Sequence, residues 1–216
     1  MFVLQKNLTE KLDNYKSFAK IVINEGNLNS LKIFKNTNLF PFKKIYVNIN
    51  EIKISKSKIS SMNDGIVGRF ICSGDWDLSL VSLRSHPAVN AAYLVSKYNL
   101  NWNEVGEIDR IYNLVKKHGS FDKCRSREQV IKRLDSLTNL IKVIKYKNSK
   151  ILLKDNIMPL TLNSPQIAIG RNGQMVKIGS GQHRIGIALG LSKDKIAFSL
   201  RAIHPLLLKN YKKNDF

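Results

Sequence analysis

The chain is short of the features that would place it quickly. It has 2 cysteines and 5 prolines in 216 residues. Two thiols, Cys72 and Cys124, cannot build a disulfide framework. A four-ligand zinc site would need several histidines in register with them, and there are 4 in all. Each thiol is therefore expected to serve as a buried small hydrophobe. Long apolar runs are missing too: no stretch nears the roughly 18 residues that span a bilayer. The opening MFVLQKNLTEKLDNYK breaks into charge too early for a secretory signal. These absences lead to the expectation of a soluble, cytoplasmic protein with no membrane partner. Acidic residues are also few, 16 Asp+Glu against 36 Lys+Arg, for a formal net charge of +20.

A basic excess of that size suggests nucleic acid, an anionic membrane or a phosphorylated ligand. Its make-up weakens the case for a dedicated polyanion face. Of the 36 basic residues 27 are Lys and 9 are Arg, in a chain crowded with Asn and Ile, as AT-rich codon usage would produce. Arginine supplies the planar fork that reads phosphates and guanines, so a Lys-dominated excess is the less specific kind. The lysines are also dispersed, with Lys6, Lys11, Lys16, Lys20, Lys53, Lys97, Lys132 and Lys177 in different segments. They read as a solvated surface. With 43% hydrophobic and 24% charged residues, the chain can still bury a proper core, which excludes wholesale disorder.

Residues 1–43 read as an arm, a weak helix over Thr9–Ile23 followed by a loop rich in Asn. From Lys44 the run KKIYVNI alternates as a strand does, with Asn50 placed to cap a short helical turn. Gly65–Cys72 is a second strand-like run and ends in Ser-Gly-Asp75-Trp76-Asp77. The middle is helical. His86–Tyr98 has Pro87 in its first turn, Trp102–His118 stops at Gly119, and Ser126–Tyr146 carries Val130, Leu134, Leu137, Ile141 and Ile144 on one face. Asn172-Gly173 between two alternating runs signals a hairpin whose two turn residues both take positive φ. A glycine loop, a helix with Ile185, Ala188 and Leu189 facing inward, and a strand over Lys195–Ile203 follow. The arrangement is α+β, with a helical insertion at about 85–148 in a domain over 44–208 and a basic tail over 209–216.

The segment GSGQHRIGIALGL is the richest in chemistry. A glycine loop after a strand lets backbone amides converge on an anion, and the following helix adds free N–H groups and the positive end of its dipole. Gly179, Ser180, Gly181, Gln182, His183 and Arg184 would form that cradle, Arg184 as the fork and His183 as a second donor. The plainer alternative is a glycine turn before an amphipathic helix, with His183 and Arg184 solvated at its start.

Hairpin, Gly-x-His-Arg, a helix of small and apolar residues and a closing strand together resemble the nucleotide-binding half of the ParB/sulfiredoxin-like superfamily. Its members include ParB partition proteins, sulfiredoxins and ParB-fold free-serine kinases. The match falls on Gly181, Gln182, His183 and Arg184, with Ala188 as the small helix residue. Roughly Tyr46–Pro205 is similar to an uncharacterised ParB-like group, often labelled nuclease, that shares a Gly-Asp-Trp-Asp segment, here Gly74–Asp77. That group also has a helix with a Trp, here Trp102, and a terminal Arg-His pair, here Arg201 and His204. The resemblance implies a nucleotide triphosphate or diphosphate as cofactor. It implies no sulfinic-acid reduction, because Gln182 stands where sulfiredoxins have their cysteine. No helix-turn-helix module follows His204, which argues against a partition-type clamp.

The remaining candidates are acids and bases. Asp75 and Asp77, two apart on an extended segment, point the same way and could share Mg²⁺, or one could act as general base; the alternative is a polar turn with Trp76 as a core plug. Glu51 is a third catalytic candidate, because the serine kinases resembled place an acidic base in their amino-terminal half. Arg171 and Arg201 end strands beside the cradle, Arg171 being counted with the nucleotide-binding set. Arg110 could reach into the pocket. His204 is a candidate acid or ligand whose plainer reading is structural, and Arg125, Arg127, Lys132 and Arg133 form a basic face expected to be solvated. The leading expectation is phosphoryl transfer from a nucleotide to an unknown small-molecule acceptor, or nucleotide hydrolysis, with the helices over Trp102–Tyr146 walling the acceptor pocket. A DNA-binding protein or nuclease, with nucleic acid as partner, and a non-catalytic nucleotide-gated module are the alternatives.

Overall fold

The computed structural model describes residues 44–55, 72–146, 165–193 and 195–207. The expected helix over Thr9–Ile23, all but the last residue of the Gly65–Cys72 strand and the basic tail lie outside them. The chain forms two compact units. Of the described residues, a sheet unit draws on those up to Ser82, on 165–181 and on those from Ala197, and a helical unit on 83–146 and on Gln182–Ile196. The helical unit thus takes in the glycine-loop helix as well as the middle helices. The molecule is α+β.

In the sheet unit the strands are β1 (Lys44–Asn48), β2 (Lys53–Ser55), β3 (Leu80–Ser82), β4 (Gln166–Ile169), β5 (Met175–Ile178) and β6 (Lys195–Ile203), whose first two residues belong to the helical unit. They make one mixed sheet in the order β1-β6-β4-β5-β2-β3. β4 runs parallel to β6 and antiparallel to β5, and β5 runs parallel to β2. The register sets Ile54, Lys177, Ile167 and Leu200 opposite one another in turn, so they share a face. Ala168, Val176, Ile178 and Ala202 pack with Trp76 in a separate cluster. Trp76 is the expected core plug, and its indole N–H donates to the Cys72 carbonyl at 3.1 Å. The turn after β1 is a single 3₁₀ turn, Ile49–Glu51, and its cap is Asn48, whose side chain accepts from the Asn50 N–H, rather than Asn50 itself.

The β4–β5 hairpin forms where the sequence places it, with a different turn. Gly173 has φ of 80°, but Asn172 is not among the described residues with positive φ. The Gly173 N–H donates to the Gly170 carbonyl at 3.0 Å, and the Gly170 N–H to the Gln174 carbonyl at 2.9 Å. Arg171, Asn172 and Gly173 are therefore a type I turn closed by one left-handed glycine, not a pair of left-handed residues.

The helical unit holds α1 (Pro87–Tyr98), α2 (Glu107–His118), α3 (Arg127–Tyr146) and α4 (Gln182–Gly190). α1 begins on Pro87 with His86 as its cap. α2 starts later than the apolar spacing suggests: Trp102 and Val105 lie in turns, because Asn101 Oδ1 takes the N–H groups of Asn103 and Glu104 and Gly106 turns left-handed at φ 70°. Val130, Leu134, Ile141 and Ile144 of α3 join Ile111, Val115, Trp102, Cys124 and Ile187 in one buried cluster, with Leu137 packed against it. Cys124 meets its expected role, and burial pushes its thiol up from the ordinary range. α4 lies against α1 so closely that a methyl on Gly186 would sit 2.7 Å from the Ala92 Cβ and overlap the Val89 carbonyl oxygen.

Candidate functional site

Asp75, Asp77 and Arg171 come together in the sheet unit, and the hairpin turn is what joins them. Asp77 is buried, while the Asp75 side chain is 78% exposed. Arg171 meets Asp77 through backbone and side chain, its backbone N–H donating to Oδ2 at 2.6 Å and its guanidinium Nε to Oδ1 at 3.0 Å. The other end of the guanidinium donates to the Gly74 carbonyl and to Asp75, both at 2.8 Å. Gln174 adds an amide donor to Asp77 at 3.2 Å. Burial pushes the Asp77 carboxyl up, but the hydrogen bonds and charge of Arg171, with a smaller contribution from His204, outweigh it and hold it below the ordinary range. His204 spends both ring nitrogens nearby: Nε2 donates to the Gly74 carbonyl at 3.0 Å and Nδ1 accepts from the Leu206 N–H at 3.2 Å. The histidine is structural here.

This arrangement does not fit a resident magnesium ion. Both Asp77 oxygens already accept N–H donors, whereas magnesium needs carboxylate lone pairs free in a near-octahedral shell. Among the described residues no three His, Cys, Asp or Glu side chains gather as a metal-holding group. Arg171 likewise stands as the clamp of the Gly74–Asp77 turn. Glu51 is exposed in the 3₁₀ turn.

The glycine loop turns left-handed at both ends, with φ of 54° at Gly179 and 97° at Gly181. A side chain on Gly181 would lie 2.7 Å from the Pro165 Cα. Beneath this loop is a residue that reads as a surface lysine in the sequence. Lys177 is 3% exposed, and its ammonium donates to the Ile178 carbonyl at 3.0 Å and to the Gly179 carbonyl. Burial alone pushes its amine down to about 7. Its one legible signal is position: it occupies an interior place in a four-residue strand whose other members are apolar.

The first turn of α4 belongs to the helical unit and carries Gln182, His183 and Arg184. His183 is buried, and its Nε2 lies 2.7 Å from Glu107 Oε1 of α2. Glu107 is 1% exposed and also takes a two-pronged bond from Arg110, at 2.6 Å and 2.7 Å. Burial pushes the Glu107 carboxyl up, and the donors Arg110 and His183 more than reverse this, holding it below the ordinary range. The Trp102 ring stands edge-on to the imidazole at 5.9 Å between centroids. Trp102 also borders an open groove of about 750 Å³ that is lined by Asn99, Asn101, Asn103, Thr138 and Lys142. The sequence reading has no role for Glu107. Its only trace there is a carboxylate opening an amphipathic helix, three residues before an arginine.

Arg184 is half-buried. Desolvation pushes its guanidinium below the ordinary range, and the like charge of Arg133 on α3 pushes it further. Arg133 pairs with Asp122 through one terminal nitrogen, yet its Nε is buried without a hydrogen-bond partner. The basic face expected to be solvated is therefore partly engaged, with Arg127 also paired to Asp109 at 2.7 Å. The structure thus gathers Asp75, Asp77 and Arg171 in one unit and Gln182, His183 and Arg184 in the other, with Glu51 in neither cluster. No family model, curated protein or solved structure matches the chain. No helix among the described residues is long and apolar enough to cross a membrane.

Proposed function

We propose that the chain binds the phosphates of a nucleotide at the first turn of α4 and transfers or hydrolyses the terminal phosphoryl group. The observation that carries this reading is the meeting of Arg184 and Arg133. The Arg184 guanidinium is depressed first by burial and then by the like charge of Arg133, and the Arg133 Nε–H is buried without an acceptor. A phosphate would relieve the repulsion, accept that N–H and lie at the positive end of the helix dipole together. Gly179–Gly181 precede this turn in the chain with left-handed glycines at both ends. The likeness to the ParB/sulfiredoxin-like superfamily at Gly181–Arg184 points the same way. Catalysis would rest on alignment and charge neutralisation, which supply most of the acceleration in phosphoryl transfer.

Thermal unfolding with ATP, ADP and CTP tests the reading. Nucleotide at a hundred times its dissociation constant should stabilise the native state by about 2.7 kcal/mol, read as a rise in Tm. Arg184→Ala should abolish the rise and Arg133→Ala should reduce it. A wild-type Tm unmoved by every nucleotide, or an equal rise in Arg184→Ala, overturns the proposal. A rise with duplex DNA alone, lost steeply with added salt, would give the chain to nucleic acid instead.

A further inference from the structure

The contact between Glu107 and His183 says more about the ring than that it is held. The bond uses Nε2, so Nδ1 is the one ring nitrogen left to meet a ligand. Arg110 already neutralises the Glu107 carboxylate with two hydrogen bonds, so the imidazole needs no charge of its own to keep its place. A neutral ring that donates through Nε2–H presents a lone pair at Nδ1. A lone pair is the wrong partner for a phosphate oxygen and the right one for a hydroxyl hydrogen. The surroundings are those of an oriented base: a carboxylate 1% exposed and an indole edge-on to the ring.

We propose that Glu107 and His183 form a proton-accepting dyad, in which Glu107 fixes the ring through Nε2 and Nδ1 takes the proton of the attacking hydroxyl. The inference rests on the phosphate reading of the α4 turn and assigns the step that follows binding. The hydroxyl belongs to an alcohol acceptor or to water. Its O–H bond breaks as its oxygen bonds to phosphorus, and the proton passes to Nδ1. The bond from phosphorus to the nucleoside diphosphate oxygen breaks, and that oxygen keeps the electron pair. The imidazolium is then paired with Glu107 and returns its proton to solvent. His183 is the catalytic residue and Glu107 the positioning residue. Arg184, next along the turn, remains the phosphate-binding group.

Two measurements on the full chain decide the matter. Long-range ¹H–¹⁵N correlation of the histidine side chains at pH 7.5, without ligand, should show His183 as the Nε2–H tautomer with Nδ1 unprotonated. An imidazolium or an Nδ1–H tautomer overturns the dyad, whatever the protein binds. Phosphate release from ATP and CTP should then fall at least about 100-fold in kcat for Glu107→Gln, the usual loss when general-base catalysis fails. Nucleotide affinity in that variant should stay within about threefold of wild type, because the carboxylate acts on the base and not on the phosphate. Equal turnover, or affinity and turnover lost together, overturns the proposal. Should Glu107→Gln not fold, His183→Gln carries the same expectation. Failure of the wild type to bind any nucleotide removes the phosphate reading itself, a result separate from the tautomer.

Discussion

Among the described residues each unit buries one carboxylate beneath an arginine, and the two clusters end differently. In the sheet unit, Asp77 is enclosed: Arg171 supplies a backbone and a side-chain donor, Gln174 supplies an amide, and the guanidinium is spent on Asp75 and Gly74 as well. Even the neighbouring His204 has both nitrogens in use. In the helical unit, Glu107 is as deeply buried, but its second partner is a histidine with one nitrogen left over. A closed network fixes a turn. A network with one group to spare can exchange something with a ligand, and burial depth alone does not separate the two.

The most damaging way to test this contrast is Asp77→Ala. Arg171 keeps Asp75 and the Gly74 carbonyl, so the loss comes from the buried donors left without Asp77 and should reach up to about 3 kcal/mol in denaturant unfolding. If nucleotide affinity fell with stability, the sheet cluster would not be merely structural and the comparison would break. Next in size is Lys177→Met, expected to stabilise on the order of 2 kcal/mol at neutral pH by removing a buried amine whose charged form desolvation penalises. The folded chain loses the Lys177 proton near pH 7, and an unfolded lysine near 10.5. Between those values the unfolded chain binds more protons, so stability should rise with pH, and Lys177→Met should flatten that rise. A smaller loss, about 1–3 kcal/mol, is expected for Gly186→Ala from overpacking against α1, read in the same unfolding experiment. Smallest is Asp75→Ala, whose exposed pairing with Arg171 should be worth less than about 1 kcal/mol.

Acid sharpens the same comparison. Asp77 and Glu107 are both held below the ordinary carboxylate range, so each contributes stability that is present above that range. It is lost as pH falls through the lowered folded values. Asp77→Asn and Glu107→Gln should each make the acid limb of the stability curve shallower. Only Glu107→Gln should also change turnover.

What the sequence made legible was local. Pro87 opening α1, the apolar face of α3, the β4–β5 hairpin and β6 all follow from spacing within a few residues, where side-chain periodicity and turn chemistry act. Asn172-Gly173 marked the right place and the wrong turn, because the cross-strand bonds of Gly170 and the grip of Asp77 on Arg171 favour a right-handed Arg171 and Asn172. The start of α2 was missed because Asn101 diverts the N–H groups of Asn103 and Glu104. The candidate site was half visible. His183 and Arg184 stand in a pattern, but Glu107 lies 76 residues from His183, and no periodicity reaches that far. Lys177 was hidden by its type, since a lysine in a basic chain reads as solvent-facing until its neighbours in the sheet are known.

The strand order carries a consequence for how the chain is made. β6 is the last described strand in sequence yet lies inside the sheet, between β1, the first described strand, and β4. During synthesis β1 must wait for β6, its neighbour among the described strands, until Lys195–Ile203 has left the ribosome, and β4 offers an open edge for the same interval. Such edges are templates for wrong pairings. A nascent chain stopped just before Lys195 would carry both of them, and would be a client for chaperones rather than a smaller version of the protein.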